Sequence, residues 1–81
     1  MDENAIYARL SEVFSEVFDR DDLNLTPEMS AHDVDEWDSL SHVRLVVSIE
    51  RAFGIRFSSG EIEKLENVGQ LATLLHHKTG G

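Results

Sequence analysis

The sequence predicts an all-α fold, a four-helix bundle with a short third helix and a long loop between helices one and two. Three observations predict it. Apolar residues recur every three or four positions in three separate stretches, which is the period of an α-helix. Strand-like alternation is confined to one short step, Ile55-Arg56-Phe57. The chain has 81 residues, 41% of them apolar, and no cysteine. That is enough for one hydrophobic core, too little for a two-lobed enzyme, and it excludes a disulfide scaffold, a thiolate metal site and a cysteine nucleophile.

Ile6, Leu10, Val13, Phe14, Val17 and Phe18 share one face of a helix from about Glu3 to Phe18, with Asp2 placed to cap its start. Residues 19–38 show no period and hold the single proline, Pro27. A structureless stretch of this length is uncommon in a compact domain and is often functional. Leu23, Leu25, Met29 and Val34 read as pins that hold it against the helices. Leu40, Val43, Val46, Val47, Ile49 and Phe53 define a second helix, Ser39 to Phe53. Its apolar arc is wide, so it is expected to be the most buried helix. Gly54 suits the left-handed position that ends it. Ser58 and Glu61 form a capping-box pattern that opens a short helix over about 59–65, turning Ile62 and Leu65 inward. Asn67 caps a last helix, Val68 to about His77, built on Val68, Leu71, Ala72 and Leu75. The chain reads as a single domain over residues 1–81, with its core at about 3–77 and a disordered tail, Lys78-Thr79-Gly80-Gly81. The long loop lets helices one and two pack parallel or antiparallel.

Sixteen acidic residues against seven basic ones give a net charge of −9. Such a chain lacks the basic face that nucleic acid or an anionic membrane requires, and it favours partners with positive patches. Twelve of the acids lie in residues 1–38, with only Arg9 and Arg20 to oppose them. No stretch is long and apolar enough to cross a membrane, and the expected location is the cytoplasm.

The segment that could carry chemistry is Asp38-Ser39-Leu40, where the acidic loop meets the second helix. Serine is a favoured N-cap, and Asp38 could do the same work. A helix start also exposes N–H groups that favour an anion, so a phosphate ester on Ser39 would be well placed. Local physics alone favours the capping role over the phosphate ester.

Asp33-Val34-Asp35-Glu36-Trp37-Asp38-Ser39-Leu40 resembles the phosphopantetheine attachment site of acyl carrier proteins. The resemblance extends through Ile49-Glu50-Arg51-Ala52-Phe53-Gly54-Ile55 and Asn67-Val68-Gly69, covering about Ala5 to His77. It implies a four-helix bundle whose Ser39 receives 4'-phosphopantetheine from coenzyme A through a separate transferase and magnesium. The arm's thiol would then carry acyl groups as thioesters between the loading and processing enzymes of fatty-acid, polyketide or related biosynthesis. The protein would be a carrier and not an enzyme, with no catalytic residue, no metal of its own and a monomeric state. By the same resemblance Asp35, Asp38, Leu40, Val43 and Arg44 would form the partner-docking face. Arg44 stands where many members have glutamate, and Trp37 where many have a small residue. The Gly-Gly pair that often precedes the serine of peptidyl carriers is absent, which leans away from them. An aminoacyl or peptidyl carrier, and an unmodified helical interaction module, are the alternatives.

Other constellations fail. Counting a calcium loop from Asp33 puts Trp37 at the fifth position, Asp38 in place of the required glycine and Arg44 in place of the closing glutamate. His76 and His77 are adjacent and have no further ligand in the sequence pattern. Ser39 and His42 are three residues apart and could approach, but a third orienting group and a cleft are lacking.

Overall fold

A computed structural model describes residues 2–80, and within them the chain forms α1 (Glu3–Phe18), α2 (Ser39–Phe53), α3 (Ser59–Lys64) and α4 (Val68–Lys78). No strand occurs among the described residues, and Ile55–Phe57 is an irregular connection. No helix is long and apolar enough to cross a membrane. Each start is set by a short polar side chain. Asp2 accepts the N–H of Ala5, Ser58 that of Glu61, and Asn67 that of Gln70. Gly54 ends α2 with φ 65°, a conformation glycine adopts without a Cβ penalty. Asp19 ends α1 in the same region at φ 53°.

The core joins Ile6, Leu10, Val13, Phe14 and Phe18 of α1 to Leu45 and Ile49 of α2 and to Val68, Leu71, Ala72 and Leu75 of α4. α1 is therefore the central helix, packing on both α2 and α4. The expectation that α2 is the most buried helix is corrected. It buries only Leu45, Val46 and Ile49, while Leu40, Val43 and Val47 are 80, 61 and 41% exposed. Its apolar arc is too wide for the one face that α1 and α4 can cover. The axes of α1 and α2 run antiparallel. Phe18 and Arg20 at the end of α1 reach Trp37 and Glu36 just before α2. Arg9, Glu12, Val13 and Glu16 share a groove with Ser48, Arg51 and Ala52 near the other end of α2.

The long loop is anchored along its length. Val34 and Trp37 are buried in the core, and Leu23, Leu25 and Met29 pack against it. Its backbone also serves α4. The carbonyls of Met29 and Pro27 accept the N–H groups of Val68 and Gly69 at 2.8 and 2.9 Å. A Cβ at residue 69 would stand 3.0 Å from the Pro27 carbonyl oxygen, so the absence of one permits this close approach. A single 3-10 turn, Ala31–Asp33, closed by the reciprocal Ser30–Asp33 cap, interrupts the loop.

The last helix takes in one residue that was expected in the tail. Lys78 is the last residue of α4, and its Nζ lies 3.0 Å from Glu61 Oε1 and 5.8 Å from the centre of the Phe57 ring. The Thr79 hydroxyl donates to the Leu75 carbonyl. Gly81, also assigned to the tail, lies outside the described residues. The N–H of Ser58 and the Lys78 ammonium hold the Glu61 carboxyl below the usual carboxylate range.

Candidate functional site

Two residues at the start of α2 are locally competent to cap it, and the structure assigns the work to Asp38. Its backbone is extended, and its Oδ1 accepts the N–H of Ser41 at 2.9 Å. That hydrogen bond holds the Asp38 carboxyl below the usual range. Ser39 is consequently the first helical residue, exposed, and its hydroxyl makes no hydrogen bond among the described residues. A phosphate ester at that oxygen would stand in solvent beside the free N–H groups of the first turn, so the residues present fit such a group.

The junction is fixed from beneath by aromatic packing. Trp37, only 9% exposed, meets Phe14 edge to face with ring centres 5.4 Å apart, and Phe18 at 6.2 Å. Its indole Nε1 donates to His42 Nδ1 at 3.1 Å, and the two rings stack with 18° between their planes. Indole is a donor only, so His42 Nδ1 must be the unprotonated nitrogen. The imidazole is thereby committed to Trp37, and no Ser39–His42 pair forms. Trp37 is a core anchor of the loop that leads into α2.

The acidic residues before Ser39 divide by function. Glu36 pairs with Arg20 at 3.1 Å, and Arg20 also forks onto Asp22. This clasp ties the two ends of the loop together, and it raises the Arg20 pKa through the Asp22 and Glu36 carboxylates. Asp38 caps. Asp35 is exposed and makes no hydrogen bond or ion pair among the described residues. Leu40, Val43 and Arg44 all lie exposed on the outward side of α2. No cluster of three or more His, Asp or Glu among the described residues could hold a metal ion.

The sequence reading did not anticipate the Trp37–His42 bond or the Arg20–Glu36 clasp. Both join residues whose pairing depends on how the loop returns to the bundle, and only the opposite charges of Arg20 and Glu36 gave a hint. Behind the junction, Trp37, His42, Leu45, Val46, Ile49, Leu65, Asn67 and Leu71 enclose a cavity of about 10 Å³, room for about one water. A larger groove of about 660 Å³ lies between α1 and α4, lined by residues such as Ile6, Tyr7, Leu74 and His77, and Ser39 is not part of it.

Residues 8–75 match the family model for a phosphopantetheine attachment site. The chain is 31% identical over 80 residues to the acyl carrier protein of Rubrobacter xylanophilus, covering 98% of this chain and 99% of that one. It is 34% identical over 74 residues to the acyl carrier protein of Acidothermus cellulolyticus, covering 91% and 88%. The solution NMR structure of a holo acyl carrier protein from Geobacter metallireducens superposes with a TM-score of 0.85 at 50% identity, over 89% of this chain and 83% of that one.

Proposed function

Since the chain belongs to the phosphopantetheine attachment-site family, we propose that it is an acyl carrier in which Ser39 bears the cofactor and delivers acyl intermediates to successive enzymes of fatty-acid, polyketide or related biosynthesis. One observation carries the assignment to Ser39. Of the two polar residues at the mouth of α2, the aspartate caps and the serine hydroxyl stays exposed and unengaged.

When bound, the cofactor supplies a thiol, which a protein without cysteine otherwise lacks. The chain's own residues supply position. Ser39 Oγ is the oxygen that accepts the phosphoryl group from coenzyme A; its proton leaves, and the nucleotide portion departs with the cleaved P–O bond. Asp38 holds the first turn so that this oxygen faces outward. Trp37, seated on Phe14 and Phe18, keeps the loop from sliding relative to the bundle. Asp35, Asp38, Leu40, Val43 and Arg44 form the surface on which the phosphopantetheinyl transferase and the acyl-loading and acyl-processing enzymes settle. That surface suits brief docking, since a carrier must leave each partner. We place this cycle in the cytoplasm.

The test is intact mass after incubation with coenzyme A, magnesium and a broad-specificity transferase. The expected result is one phosphopantetheine adduct on the wild type and none on Ser39→Ala, with the melting temperature of the variant unchanged. An adduct that persists in the variant would move the site elsewhere. No adduct with any of several transferases would leave an unmodified interaction module.

A further inference from the structure

The outward face of α2 differs in composition from the rest of the chain. Buried Leu45, Val46 and Ile49 define the inward side, so at about 100° per residue the opposite side carries Leu40, Val43, Arg44, Val47 and Arg51. All five are exposed, and Leu40, Val43 and Val47 are the large apolar residues that the fold leaves uncovered. No carboxylate lies among them. The one acid of α2, Glu50, is half-buried, and its Oε2 accepts the N–H of Phe57 at 2.8 Å.

The arginines sort in the same way. Arg9 pairs with Glu12, and Arg20 pairs with Asp22 and Glu36. Among the described residues Arg44 and Arg51 have no ion pair or hydrogen bond, nor does Arg56 just beyond α2. Arg51 and Arg56 flank an open groove of about 390 Å³ that also takes in Val47, Gly54, Ile55 and Glu50, the last engaged by the Phe57 N–H. Three guanidinium groups thus stand without an ion pair beside an apolar stripe in a chain of net charge −9, although Arg51 also lines the groove that holds Glu12 and Glu16 of α1. The guanidinium fork matches a carboxylate better than any other protein group.

We propose that the outward face of α2 docks on a protein surface in which an apolar pocket is flanked by aspartate and glutamate side chains, with Arg44, Arg51 and Arg56 as its charged contacts. This rests on the carrier reading, because the stripe begins at Leu40, beside the serine that each enzyme must reach. The partner is a protein and not an anionic membrane: a membrane would draw the same arginines, but the acidic loop before α2 opposes approach to a continuous negative surface. Recognition then has two signs, acidic at the loop end around Asp35 and basic along α2. An enzyme matched to the loop alone meets like charge further down the helix.

The probes are two acyl-chain condensing enzymes of known structure, one with a carrier-docking patch lined by Asp and Glu, the other with one lined by Lys and Arg, together with phosphatidylglycerol vesicles. Affinity is measured by calorimetry on the unmodified and the modified chain, for the wild type and for Arg44→Glu/Arg51→Glu. The wild type is expected to bind the carboxylate-lined enzyme about tenfold more tightly than the other, and the double variant to reverse that order. The preference should shrink as salt is raised. A wild type that prefers the lysine- and arginine-lined enzyme, or a double variant that binds both as the wild type does, overturns the inference. So does vesicle binding that the double variant abolishes. Because affinity is also read on the unmodified chain, a missing Ser39 adduct would overturn the carrier reading while the binding order still decides this one.

Discussion

On its inward side α2 buries Leu45, Val46 and Ile49, the last with no exposed surface, while on its outward side Leu40 and Val43 stand mostly in solvent. The residue types on the two sides are alike. The difference comes from their neighbours, because α1 packs against α2 on the inward side, and the core there continues into α4. Hydropathy reports what a side chain loses by exposure, and the arrangement of the other elements decides whether it is exposed. An apolar stripe that remains uncovered costs solubility, and its retention next to Ser39 is consistent with a surface used for docking.

Four substitutions can break or sharpen this contrast. Ile49→Ala should cost about 2–5 kcal/mol in urea unfolding, as expected for a fully buried aliphatic. Val47→Ala, two residues earlier and facing outward, should stay within about 0.5 kcal/mol. Comparable losses would mean that the outward face belongs to the core. Trp37→Phe tests the margin between the faces, where His42 sits. It keeps a ring against Phe14 but removes the donor to His42 Nδ1, and about 1 kcal/mol should be lost by the same measurement. No loss would show that the Trp37–His42 bond contributes nothing to holding the junction. The smallest effect is expected from Asp38→Asn. Asparagine caps as well as aspartate, so the melting temperature at pH 7 should hardly move. The Asp38 carboxyl is held low in the folded state, so its contribution is present above the ordinary carboxylate range near about 4 and is lost as pH falls through the folded value. The variant should therefore lose less melting temperature than the wild type between pH 6 and pH 3. An equal loss would remove Asp38 from the acid response.

Helix starts were legible because capping is local: Asp2, Ser58 and Asn67 each bond an N–H three residues away. The burial of α4 was legible for a related reason, since its four inward residues are the only large run of apolar side chains on one face. The choice between Asp38 and Ser39 as cap was not legible, because both side chains are competent and the backbone at residue 38 decides. Nor was the division of α2: one wide apolar arc holds the buried Val46 and Ile49 together with the exposed Leu40, Val43 and Val47, and periodicity does not say which of them a neighbour covers. Contacts that cross the chain were the least visible. Lys78 with Glu61, and Met29 with Val68, depend on where the loop and the last helix come to rest.

The cap at residue 38 has a consequence for the atom beside it. With the opening bond of the helix made by a neighbour, the oxygen of Ser39 is structurally idle. Derivatising it disturbs no contact on which the bundle depends, so the bare and the loaded chain can keep one shape, and a visiting enzyme would have to tell them apart by the appendage alone.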